Sequence, residues 1–445
     1  MPSTEEEDCV VFEFERGEDR VRFENVAAAL TVLLAVYVFC SGVTFCSSGM
    51  LRAASNLDAV RVMADLITID VTSAASVVAG FLFGHVYVAS LMEAEVYRRL
   101  FLFFLIDMWV AALLSCLVGG LYAVATGTFR WPDLALTLFE GVTSVRVLDY
   151  QQSAAAPHSL NTFAWLVMCM FIPAATLPGT LRMARRVDAA FGDLGVYVVL
   201  VLCGTGVLAF SVFALIQDDS NVFYMNASGL GYRMLEVNLG INAYYLWTAA
   251  ATPSMLIHCL TRFKIVILTV FGCAWWSELG APAEVSDGVC VRLYHFNPCI
   301  RDHPGVLFRG CLLGMSVVVW VFHETPVSLW LTEPLRAAMN AVSTVLLCCP
   351  VFTAVKGALE LTFGAAIVSR NAALLSLILP VAAFCVVWAY NLHVKAVLQR
   401  DACGLACDCA AAVRRWMRPT AQSAQPDLPP FAPLSGGEAT QTAGQ

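Results

Sequence analysis

The feature that most constrains this 445-residue chain is a succession of apolar runs, each near twenty residues long, divided by short polar breaks. About twenty apolar residues is the length at which a helix crosses a bilayer, because a helix satisfies its backbone hydrogen bonds within itself. Ten runs meet that measure: 26–46, 70–92, 100–126, 162–181, 193–216, 240–260, 265–279, 306–322, 337–355 and 371–394. Residues 357–369 are open to three readings: an eleventh short span, a re-entrant turn, or part of a long kinked helix beginning before Pro350. Composition agrees, since 59% hydrophobic and 13% charged residues leave too little polar surface for a water-soluble globule. The expected fold is all-α, a polytopic integral membrane bundle of about ten (10–11) transmembrane helices in contact with the lipid bilayer.

Charge divides the chain further. Nine carboxylates and three arginines fall in the first 24 residues, which makes residues 1–25 an acidic arm rather than the basic leader of a signal peptide. The multispan domain then covers 26–395, a Cys/Arg-rich juxtamembrane segment 396–418, and a Pro-rich tail 419–445 whose composition predicts disorder. Arg98, Arg99, Arg182, Arg185, Arg186, Arg262, Lys264, Arg336, Lys395 and Arg400 share one side if ten spans are threaded. The positive-inside rule makes that side the cytoplasm and puts both termini there. The Asn226-Ala-Ser228 sequon and the pair Cys290 and Cys299 then fall on the lumenal side, where glycosylation and a disulfide are possible chemistries. Zinc ligation by that cysteine loop, with His295 and His303, is the competing reading, but the spacing matches no compact zinc pattern. Cys403, Cys407 and Cys409 lie beside arginines just past the last span, the setting of reversible palmitoylation.

Motifs for soluble catalysis are missing from the sequence: no Walker lysine loop, GxSxG elbow, HExxH or dinucleotide fingerprint occurs. The expectation is a non-enzyme with no metal, no cofactor and no nucleic-acid partner. Asp107, inside LFLFFLIDMWVAALL, is the residue that asks for an explanation, since a charge within a span costs about 2.5–3.5 kcal/mol on insertion scales. His85 on the preceding run lies seven residues from its cytoplasmic end, as Asp107 does on the next, so the two are expected at matching depth. A buried Asp107–His85 pair would lock two neighbouring helices or serve a proton or small-molecule substrate. TFRWPDLALTLFEGVTSVRVL, residues 128–148, reads as a helix opened by Pro132 and lying flat on the membrane.

The texture of the whole chain, including LTVLLAVYVFCSGVTFC and VSTVLLCCPVF, the acidic arm and the Pro-rich tail, resembles multispanning envelope proteins of herpesviruses. That resemblance implies a virion or infected-cell membrane protein acting through other membrane or envelope proteins. The chain is also similar to equilibrative nucleoside transporters, whose eleven spans would need residues 357–369 as the extra one. An eleventh span would place the Arg-rich C-terminus outside, against the charge rule. Two functions follow: a structural or partner-interaction role, or secondary transport of a small solute such as a nucleoside.

Overall fold

A computed structural model describes residues 17–47, 55–89, 94–143, 230–249, 264–279, 306–324 and 334–395, with scattered positions at 160–206, at 262 and at 397–404. Among the described residues every regular element is helical. They are α1 (Gly17–Ser47), α2 (Ser55–Ala89), α3 (Ala94–Leu114), α4 (Gly120–Ala125), α5 (Trp131–Thr143), α6 (Leu230–Ala249), α7 (Lys264–Leu279), α8 (Val306–Val319), α9 (Pro334–Phe363), α10 (Ala365–Arg370) and α11 (Ala372–Tyr390). Single π-helical turns join α3 to α4 (Ser115–Gly119), follow α8 (Trp320–Glu324) and follow α11 (Asn391–Lys395). The chain divides into two units, Met1–Gln399 and Arg400–Gln445, and all eleven helices belong to the first.

Four of the described stretches are long and apolar enough to cross a membrane: Val21–Val43, Phe104–Ala125, Asn340–Phe363 and Ala372–Lys395. Arg309–Phe322 is a shorter apolar helix of the same kind. The fold is therefore helical and fits a membrane protein. Two expected boundaries move: α2 begins at Ser55 rather than 70, and α6 at Leu230 rather than 240. Most of the runs 162–181 and 193–216 lies outside the described residues, as do the acidic arm up to residue 16 and the tail 419–445.

Two sets of helices share α1. One comprises α2, α6 and α8, and the other α3, α9 and α11. In the first set, small residues bring backbones together. A Cβ on Gly80 of α2 would strike the Val237 carbonyl of α6, and one on Gly240 would strike the Val77 carbonyl. Gly310 and Gly314 of α8 meet Ser73 and Ala74 of α2 in the same way. Gly80-x-x-x-Gly84 thus faces α6 and Gly310-x-x-x-Gly314 faces α2, each a small-residue face of the kind by which helices pack in lipid, where the hydrophobic effect no longer draws them together. Buried hydroxyls are spent locally: Ser41, Thr68, Ser76, Ser115 and Thr353 each donate to the carbonyl four residues back.

Ring contacts fix the vertical order. Phe23 at the start of α1 stacks on His85 near the end of α2, and Phe83 meets Phe104 of α3, so these three ends lie level. At the other end Phe45 meets Phe352, and Gly42 sits against Pro380. Of the ambiguous segment 357–369, the first seven residues continue α9, which runs through Pro350 to Phe363. The chain then turns at Gly364, whose φ of 87° favours glycine, into the short α10.

Candidate functional site

Asp107 is completely buried, and its carboxylate is held by side chains from two other segments. Lys395 Nζ donates to Oδ2 at 2.7 Å, Ser343 Oγ donates to the same oxygen at 2.7 Å, and Tyr390 Oη donates to Oδ1 at 3.1 Å. Lys395 Nζ lies a further 2.6 Å from Ser343 Oγ, which closes a triangle of ammonium, hydroxyl and carboxylate. A carboxylate offers about four acceptor sites, and three are filled here. The arrangement ties α3, α9 and the end of α11 at one level, since all three groups lie within a turn of the end of their apolar stretch.

This corrects the expected Asp107–His85 pair. His85 is at a similar level but faces another way: its ring stacks on Phe23 with centroids 3.3 Å apart and planes 10° off parallel, with Tyr244 edge-on at 5.7 Å. Counting residues along two helices gives depth and leaves azimuth undetermined. Lys395 also changes meaning, from a flanking positive charge to a buried partner only 4% exposed. The π-helical turn Asn391–Lys395 is what turns it inward. Five residues along an ordinary α-helix point about 140° apart, whereas i→i+5 bonding brings the fifth residue back over the first. Tyr390 and Lys395 thereby reach one carboxylate.

A second buried ion pair, absent from the sequence reading, lies near the other end. Arg309 of α8 grips Asp70 of α2 with Nε to Oδ1 at 3.0 Å and Nη2 to Oδ2 at 2.9 Å. This is the side-on fork that guanidinium and carboxylate make best. Asp70 precedes His85 by fifteen residues, about 22 Å of helix. Glu236 of α6 is also fully buried and accepts from Cys311 Sγ at 3.7 Å. Beyond this, Glu360 accepts from Tyr122 Oη at 3.1 Å and lies 3.9 Å from Lys356, whose ammonium stands over the Phe45 and Tyr122 rings.

Proline breaks are sealed by specific neighbours. Pro350 has no N–H, which leaves the Leu346 carbonyl without its helical donor. Asn161 Nδ2 supplies one at 2.8 Å. Leu160 joins the same seam: its N–H donates to Thr137 Oγ1 at 2.7 Å, and its carbonyl accepts from Cys349 Sγ at 3.2 Å. Non-helical backbone among spans is tolerated only when its polar groups are met by protein in this way. Ser376, four before Pro380, has its carbonyl 3.2 Å from where a Gly42 Cβ would stand, so only glycine leaves that approach open.

The segment expected to lie flat on the membrane does not. Trp131–Thr143 runs back alongside α3, with Cys116 Sγ 3.8 Å from the Leu134 carbonyl and Gly141 against Ala112 and Met108. Its buried face carries Asp133, Thr137, Glu140 and Gly141. A helix with that much polar surface to hide docks on another helix instead of floating at the interface. Asn226, Cys290, Cys299, Cys403, Cys407 and Cys409 lie outside the described residues. No protein-family model, curated protein or solved structure matches this chain.

Proposed function

We propose that the chain is a multispanning membrane protein whose helices form a braced platform, with a structural or partner-interaction role. The observation that carries this reading is the Asp107 centre, where three side chains from α9, α11 and its terminal turn converge on a carboxylate of α3. An intramembrane carboxylate that exchanges protons or grips a substrate needs acceptor capacity turned toward the ligand. Here three of about four acceptor sites are taken up inside the protein, which suits a brace. The herpesvirus resemblance extends the proposal to a viral envelope or infected-cell membrane, with both termini cytoplasmic and the tail 419–445 as a docking segment. Under this reading Asp107→Asn lowers the level or melting temperature of the protein. Deleting 419–445 weakens recovery of partners and leaves the bundle stable.

Secondary transport is the second reading, and the observation favouring it is the pair of proline-interrupted helices beside irregular backbone at Leu160–Asn161. It requires that Asp107→Asn abolish uptake of a solute such as a nucleoside while assembly and melting temperature stay at native values. Both outcomes come from one variant, measured by fluorescence-detected size exclusion and by uptake in cells.

A further inference from the structure

A cavity of about 300 Å³ opens at the end of the stretch Phe104–Ala125. It is lined by Ala123, Thr128, Phe129, Arg130, Asp133 and Leu160, and so contains one cation, one anion, one hydroxyl and an apolar floor. The chain shapes it by a tight turn: Thr128 N donates to the Ala123 carbonyl at 2.8 Å, and Gly127 takes a φ of 70° that glycine adopts without strain. Arg130 Nε stands 3.9 Å from Asp133 Oδ1, so the two charges lie side by side. Trp131, 73% exposed, and Phe129 meet edge to face beside the mouth.

We infer that this cavity binds the headgroup of a zwitterionic phospholipid. Its position is where headgroups lie, at the polar end of an apolar stretch and beside an exposed tryptophan. Its lining has no net charge, which matches a phosphate joined to an ammonium: an anionic headgroup would meet the Asp133 carboxylate, and a lone cation the Arg130 guanidinium. The guanidinium of Arg130 lines the cavity and has the planar fork that suits a phosphate. The ammonium falls to Asp133 and to the ring of Phe129, both in the cavity lining. A lipid also needs a place for its acyl chains. Leu113, Leu117, Leu121 and Val124 form an exposed apolar stripe on the same rod, at spacings of four, four and three that keep them on one face, and offer acyl chains a surface on the helix that ends at the cavity.

The test uses the full chain, delipidated in detergent and offered equal amounts of phosphatidylethanolamine, phosphatidylcholine and phosphatidylglycerol, with bound lipid counted by native mass spectrometry. The two zwitterions should be retained about tenfold over phosphatidylglycerol, the least expected from one charge-assisted contact. Arg130→Gln should remove that retention, and Asp133→Asn should raise phosphatidylglycerol to the level of the zwitterions. Since Asp133 is buried, Leu121→Asn on the exposed stripe gives an independent arm and should lower retention of all three lipids. Equal retention of phosphatidylglycerol by the native chain, native retention by Arg130→Gln, or competition by millimolar inorganic phosphate as effective as by lipid would each overturn the assignment.

Discussion

The two buried ion pairs solve the same problem with different chemistry. At Asp70 one guanidinium reaches both carboxylate oxygens, between two helices whose backbones already touch through Gly310, Gly314, Ser73 and Ala74. At Asp107 the cation is a single ammonium point charge, and it is completed by the hydroxyls of Ser343 and Tyr390. The first pair uses the planar fork of one guanidinium. The second depends on three segments arriving together, and it binds α3, α9 and the α11 terminus into one unit.

That contrast is open to mutation. The largest effects should come from Asp70→Ala and Asp107→Ala, each leaving a buried cation unmatched at a cost of about 3–5 kcal/mol. Loss of folded protein on size exclusion would register this for both. The double variant Asp107→Asn with Lys395→Met should regain most of the stability lost by Asp107→Asn alone, because replacing a whole buried pair is often close to neutral. Failure of that rescue would mean that the charge itself is used. Arg309→Lys removes the fork and should cost more than Lys395→Arg gains or loses in hydrogen bonding, with melting temperature as the readout. Tyr390→Phe should cost about 1.5–3 kcal/mol, the range for a hydrogen bond to a charged group. His85→Phe should be the mildest, since an aromatic ring that stacks on Phe23 keeps the contact.

Much of the helical layout was legible as sequence, because a helix must be apolar over about twenty residues to cross lipid, and α1, α3 with α4, α9 and α11 announce themselves by that rule. Asp107 was legible as a special residue for the same reason. Its partner was not, because pairing depends on which way a side chain points around the helix, and the π-helical turn before Lys395 alters that angle without altering the apolar pattern. Lys395 was hidden by its position too: at the end of an apolar run a lysine reads as an interfacial flank. Arg309 and Asp70 carried a readable signal, opposite charges just inside two apolar runs, and Gly310-x-x-x-Gly314 marked the face of α8 that meets α2. The docking of Trp131–Thr143 on α3 turned on the buried face of Asp133, Thr137 and Glu140, which a pattern of apolar spacing overlooks.

The reach of the Asp107–Lys395 bond has a consequence in time. Its partners are 288 residues apart in the chain. At about 5–20 residues per second, a ribosome takes roughly 15–60 s to deliver the ammonium after the carboxylate. For that interval α3 holds a carboxylate without its final cation. Arrival of α11 and its terminal turn therefore completes a bond begun in α3.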